Sequence, residues 1–182
     1  MFIDYVTLML VNIAASFCSL GVFVLRQDAD HEPSWAPVFA LSGFVALVTG
    51  LRMTFTWPLP GPYNMVFGEL SVLLGGLLAA TAWHLAKGWE LKHLATYACF
   101  AGITAAVVGL QFLRLGLSQT PGLAGTGFLL AGISGIGSVI WVRKKTKLLR
   151  FLGCAVLFAS SVIWGWIGYG AYWAHMSQFM KR

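Results

Sequence analysis

Charge is what this sequence has least of. Asp, Glu, Lys and Arg make up only 10% of its 182 residues, against about 25% in an ordinary soluble domain. So few ionisable groups cannot clothe a water-facing surface, and a soluble enzyme or binding module is excluded. Acidic residues are scarcer still, six against twelve basic ones. In a soluble protein that imbalance would point to nucleic acid; here its placement reports topology instead, and no nucleic-acid partner is expected. The three cysteines, Cys18, Cys99 and Cys154, fall in separate apolar runs with no Cys-x-x-Cys and no pair in facing loops, so they read as core thiols. Catalytic signatures are missing too. No Gly-rich phosphate loop, nucleophile elbow, HExxH or carboxylate dyad is present, so neither enzymatic activity nor a cofactor is expected.

Apolar sequence is what the chain has in abundance, at 58% hydrophobic residues. It is arranged as runs over 2–25, 36–57, 63–85, 94–117, 122–142 and 149–173. Each approaches the ~20 residues that cross a ~30 Å hydrocarbon layer as a helix. The pattern predicts an all-α integral membrane protein with six transmembrane helices, and a single membrane domain accounting for residues 1–182. The first run has no basic segment before it and carries Asp4 where a signal peptide would be positive, so it is expected to be retained.

Orientation follows from the basic residues. Arg26, Lys87, Lys92, Arg143, Lys144, Lys145, Lys147 and Arg150 all lie in or beside the connections after runs one, three and five. The positive-inside rule places these connections in the cytoplasm and both termini outside, with the Arg143–Arg150 cluster available to anionic lipid headgroups. The lipid bilayer is the one certain partner.

An internal regularity recurs at a step of 59 residues: Gly43, Gly102 and Ser161 are so related, and so are Gly50, Gly109 and Gly168. Within each pair the spacing is seven, which keeps both small residues on one helix face. Ser16, Gly75 and Ser134 continue the step more weakly in the odd runs. The simplest reading is three tandem helical hairpins whose small-residue stripes allow close packing, some of it between protomers of a homo-oligomer.

The second and third runs meet at Thr56-Trp57-Pro58-Leu59-Pro60-Gly61-Pro62-Tyr63-Asn64. Three prolines and a glycine exclude helix interior, so Trp57, Pro58, Pro60, Gly61, Pro62, Tyr63 and Asn64 form a structural turn. Arg52 lies four residues before Thr56 and Glu69 five after Asn64. Opposite charges at matched depth predict an ion pair behind the turn. With Asp4, Asn12, Gln111 and Arg114 they form a polar set at the outer end, readable either as braces on helix ends or as a polar vestibule touching a solute. In the sixth run Trp164 and Trp166 sit near mid-span, where they either fill space against the glycines or narrow a pore. His84 and His93 flank a short connection. They are weak candidates for haem or metal ligation.

The opening Met1-Phe2-Ile3-Asp4-Tyr5-Val6-Thr7-Leu8, the proline turn and Phe67-Gly68-Glu69 resemble an uncharacterised prokaryotic family of small membrane proteins, domain-of-unknown-function family 981. The resemblance covers nearly the whole chain and implies a prokaryotic cytoplasmic membrane, but no activity. In architecture alone, three hairpins with outward termini also resemble the acid-gated urea and amide channels, which form hexamers with one pore per protomer; no motif matches their pore residues. Two functions stay open: a channel or facilitator for a small solute, or a structural or accessory subunit of a larger membrane complex, such as a respiratory one.

Overall fold

The structure is a computed structural model that describes residues 5–26, 32–144 and 146–180. It contains six helices: α1 (Val6–Leu25), α2 (Ala36–Thr56), α3 (Leu70–Lys87), α4 (Leu94–Leu115), α5 (Pro121–Lys144) and α6 (Lys147–Phe179). No strand occurs among the described residues. All six helices are long and apolar enough to cross a membrane, and each overlaps one of the six hydropathy runs. The start of the first run, residues 2–4, lies outside the described residues. The last helix is longer than predicted. Its 33 residues span about 50 Å, so the end bearing Tyr172 and Trp173 overruns a ~30 Å hydrocarbon layer.

Chain punctuation sets the helix ends. Gly88 (φ 68) and Gly116 (φ 63) close α3 and α4 in the left-handed conformation, which glycine adopts without a side-chain clash. The second helix ends the same way on a tryptophan: Trp57 has φ 45 and donates its backbone N–H to the Met53 carbonyl at 3.1 Å. Beyond the prolines the chain re-enters helix through a π-helical turn, Asn64–Glu69, that runs straight into α3.

The helices close a ring in chain order, with α6 returning to α1. Consecutive helices are neighbours, as tandem hairpins require, yet the closest seams fall between the expected hairpins, at α2–α3, α4–α5 and α6–α1. The seven-residue stripes explain why. A Cβ added to Gly43 would lie 3.0 Å from the Gly75 carbonyl oxygen, and one on Gly50 2.9 Å from that of Gly68. In the next seam a Cβ on Gly102 would lie 2.7 Å from the Gly132 oxygen, and one on Gly109 2.9 Å from that of Gly125. The third seam replaces one glycine contact by a hydrogen bond, Ser161 Oγ donating to the Ala14 carbonyl at 2.7 Å, while Gly168 meets Val11. Backbones this close gain dispersion and weak Cα–H···O contacts, the forces available where lipid is as apolar as the side chains.

One detail of the repeat is corrected. The residues opposite Gly43, Gly102 and Ser161 are Gly75, Gly132 and Ala14, so Ser16 and Ser134 stand two places off the odd-helix register. The proline turn is the cause: Gly50 to Gly68 spans 18 residues, whereas Gly109 to Gly125 spans 16. The cysteines are also split. Cys154 is buried with its thiol against the Gly21 carbonyl, but Cys18 is exposed on the outer face.

Candidate solute path

The helices line a partly open cavity of about 340 Å³. Side chains of α1 (Ile13, Phe17, Leu20), α3 (Leu70, Leu74, Leu77), α4 (Ala95, Ala98, Ala105), α5 (Ala131, Ser134, Ser138) and α6 (Leu152, Val156, Leu157) line it, and α2 stands outside. No Asp, Glu, Lys, Arg or His lines it among the described residues. Three of its four hydroxyls are turned back on their own helices: Thr81, Ser134 and Ser138 donate to the carbonyls of Leu77, Ala131 and Gly135 at 2.8, 2.8 and 2.6 Å, Ser138 also approaching the Ala95 carbonyl of α4 at 3.4 Å, and Ser71 is the fourth. Most of what faces the space is hydrocarbon. Towards the end of the ring that carries the basic connections, Leu91, Leu94, Trp141 and Leu149 border the cavity.

Towards the proline turn the cavity is shut by aromatic rings. Phe128 sits 5.3 Å from Phe112, 6.0 Å from Phe67 and 4.7 Å, edge to face, from Trp164. Phe67 also meets Phe112 edge to face at 6.3 Å. Edge-to-face pairs at such separations are the favoured aromatic geometry. Four helical segments contribute one ring each, so the plug ties α4, α5, α6 and the π-helical turn together. Phe112, Phe128 and Trp164 are almost fully buried, at 0, 4 and 1% exposure. The Trp164 indole N–H has no hydrogen-bond partner, and neither has that of Trp141 at the other end of the cavity.

The plug rests on the proline turn through Asn64. This side chain is fully buried and clamps one residue from both sides: Leu59 N–H donates to Asn64 Oδ1 at 3.0 Å, and Asn64 Nδ2 donates to the Leu59 carbonyl at 2.5 Å. The side-chain amide thus satisfies a backbone pair that three prolines leave without helical partners. Tyr63, beside it, packs on the plug cluster. Asn64→Ala leaves both Leu59 groups unpaired and is expected to cost about 1–3 kcal/mol, read as a lower unfolding temperature of the detergent-solubilised protein; Asn64→Asp, which keeps only the acceptor, should fall between.

Among the residues singled out from sequence, Trp164 borders the cavity. Asn12 ties α1 to α2, its Nδ2 donating to the Ser42 carbonyl at 3.0 Å. Arg52, Glu69, Gln111, Arg114 and Trp166 are exposed and do not border the cavity. The predicted ion pair is not formed: no salt bridge joins Arg52 to Glu69, and the ion pair between Lys92 and Glu90 lies at the opposite end of the ring. Helix phase is the reason. Gly50 and Gly68 face each other across the α2–α3 seam; Arg52, two residues past Gly50, is turned about 200° from it and Glu69 about 100° from Gly68. Arg52 acts instead on Tyr5, whose phenol is pushed up by burial and pulled part of the way back by the guanidinium. Asp4 lies outside the described residues. His84 donates its Nδ1–H to the Glu90 carbonyl at 3.0 Å and lines a shallow surface pocket with Trp89 and His93. Among the described residues no three His, Cys, Asp or Glu side chains converge. None of the three plug phenylalanines was a site candidate in the sequence: Phe67 stood out only within the family-like Phe67-Gly68-Glu69, and Phe112 and Phe128 are two of 13 phenylalanines.

Six spanning helices in a closed ring, around an apolar cavity stopped at one end by aromatic rings, define a membrane protein of channel-like fold. The fold is shared with the Helicobacter pylori urea channel, whose cryo-EM structure in the closed state matches with a TM-score of 0.74 at 16% identity over 93% of this chain and 98% of that one. No curated protein sequence matches the chain. The chain belongs to the protein family of unknown function DUF981, whose model matches residues 1–178.

Proposed function

We propose that this protein is a channel or facilitator for small uncharged solutes, that the path runs through the ring, and that the aromatic plug is its closed gate. The observation that carries the reading is the cavity: lined by five helices, large against the ~30 Å³ that a liquid water occupies, and bare of ionisable side chains. An ion entering it would lose its hydration with no opposite charge or carbonyl ring to replace it. A neutral solute loses only a few hydrogen bonds. The shared fold makes urea the first solute to try. Purified protein in lipid vesicles should speed urea-driven reswelling in stopped-flow light scattering and leave potassium chloride retention unchanged. Reswelling equal to protein-free vesicles for urea, acetamide and glycerol alike would refute the reading and favour an accessory subunit.

The membrane is the cytoplasmic one of a prokaryote, with the basic connections inside and the proline turn outside, and each protomer of a homo-oligomer carries its own path. The basic residues Lys87, Lys92, Arg143, Lys144 and Lys147 share one end of the ring, which supports this orientation. In a cysteine-free background, Pro60→Cys should react with an impermeant maleimide in intact cells and Lys144→Cys only after lysis. The opposite pattern inverts the topology.

A further inference from the structure

The cavity is open on one side, and its lining shows which. Among the described residues that border it, Ile133, Ile140 and Leu152 alone are exposed, at 54, 50 and 50%. The first two stand seven apart on one face of α5, and the third is on α6. Gly137 shares that face of α5, and a Cβ added to it would meet nothing within 4 Å; one on Gly153 of α6 would meet only Val24, at 3.9 Å. Both glycines border the cavity. Towards the plug the two helices do touch: Ser160 Oγ donates to the Gly127 carbonyl at 3.3 Å, and a Cβ on Gly127 would lie 3.0 Å from the Trp164 ring. Below that contact the wall between α5 and α6 has a side window facing the bilayer.

The window lies at the depth of one lipid leaflet. Ile140 precedes Arg143 by three residues and Ile133 by ten, so the opening runs from about 5 to about 15 Å beneath Arg143, the hydrocarbon of half a ~30 Å layer. Above it Arg143, Lys144 and Lys147, at the adjoining ends of α5 and α6, are exposed. No acidic residue follows Glu90 in the chain, so none on α4, α5 or α6 offsets them. We infer that the cavity takes up one acyl chain of an anionic phospholipid through this window, with the headgroup phosphate held by Arg143, Lys144 and Lys147. An apolar cavity of ~150 Å³ stays dry and binds a hydrocarbon of benzene's size; this one has about 340 Å³. Four hydroxyls interrupt its wall, those of Ser71, Thr81, Ser134 and Ser138, and the last three already donate to helix carbonyls. Each methylene buried favours binding, and the basic cluster selects an anionic headgroup over a zwitterionic one. The inference stands apart from the channel reading: lipid and solute compete for one space, but lipid binding is read without any flux.

The test is native mass spectrometry of the full chain in detergent, with thermal unfolding beside it, on adding phosphatidylglycerol or phosphatidylcholine. Wild-type protein should bind one phosphatidylglycerol per protomer roughly tenfold to a hundredfold more tightly than phosphatidylcholine, and be stabilised by it. Gly137→Phe puts a ring in the window where space is open; it should fold and lose at least about tenfold in phosphatidylglycerol affinity. The triple variant Arg143→Gln, Lys144→Gln, Lys147→Gln should bind the two lipids alike. Undiminished phosphatidylglycerol binding by Gly137→Phe would leave the lipid on the surface cluster alone and overturn the inference, as would equal affinity of wild-type protein for both lipids. If Gly137→Phe instead breaks up an oligomer while lipid binding is unchanged, the window belongs to a second copy and the inference also falls. Should that variant fail to fold, wild-type protein still decides: glycerol phosphate, which has the headgroup charge and no acyl chain, must bind far more weakly than phosphatidylglycerol, and equal binding overturns the inference.

Discussion

Gly102→Leu is expected to leave almost no folded protein in the membrane fraction. The α4–α5 seam has no room at this position: even a bare Cβ would lie 2.7 Å from the Gly132 carbonyl oxygen and 2.8 Å from the Ile136 nitrogen. Both neighbours are backbone, so neither can swing aside, and the helices must separate along the length of the contact. Overpacking a core costs about 1–3 kcal/mol where side chains can adjust. Here they cannot, and a loss above ~3 kcal/mol is a large share of the total stability of a folded protein. Gly137→Ala is the control. It lies on the facing helix α5, five residues past Gly132, with nothing within 4 Å of an added Cβ, and alanine favours helix by about 1 kcal/mol over glycine. That variant should express at least as well as wild type. Equal, normal yields of Gly102→Leu and wild type on fluorescence-detected size exclusion would show that the seam is not formed as described.

The second large effect has two readouts that move in opposite directions. Phe128→Ala removes the ring that touches all three other members of the plug and is 4% exposed. Truncating a buried phenylalanine costs about 3–5 kcal/mol, so the unfolding temperature must fall. If the plug is a gate, the same change shortens the barrier across the ring. A barrier lowered by about 1.4 kcal/mol raises flux tenfold, so urea flux should rise by roughly that factor although fewer molecules are folded. A plug that only braces the helices predicts lower stability with no gain in flux. Measuring both on one preparation separates gate from brace, since loss of protein cannot masquerade as gain of permeation.

Features written in the length and phase of apolar runs were legible before any coordinates. Six spans follow from run length, and the step relating Gly43 to Gly102 and Gly50 to Gly109 marked the faces that meet, because close backbone approach demands small residues seven apart whatever the partner. The partner register was not legible, since it depends on two additional residues in the proline turn. Charge misled for a related reason. Arg52 and Glu69 are conspicuous by chemistry, but whether they meet depends on helix rotation, and the glycines that set that rotation place them off the seam. Phe128 was visible only as a departure from the repeat, standing 59 residues beyond Glu69. Nothing in the sequence marks its neighbours Phe67 and Phe112 as plug members, because an aromatic ring in a membrane helix is equally suited to lipid, seam or axis, and only the assembled ring of helices distinguishes them. Asn64 lay within a recognised turn, yet its clamp on Leu59 depends on a chain reversal that composition does not specify.

The π-helical turn Asn64–Glu69 carries one more residue than an α-helical turn needs, between two fixed points: Asn64, clamped to Leu59, and Gly68, seated against Met53 and Thr54. Phe67 takes its place in the plug from that surplus. Residues of a helix are set about 100° apart, so removing one here would swing Phe67 off the axis while everything from Leu70 onward stayed in its seam. Length, more than chemistry, is therefore what this stretch of chain has to conserve. Sequences that share the fold are free to exchange Met65 or Val66 for other apolar residues, whereas a gap of a single position between Tyr63 and Glu69 would identify a protein whose cavity is capped by something other than this cluster of rings.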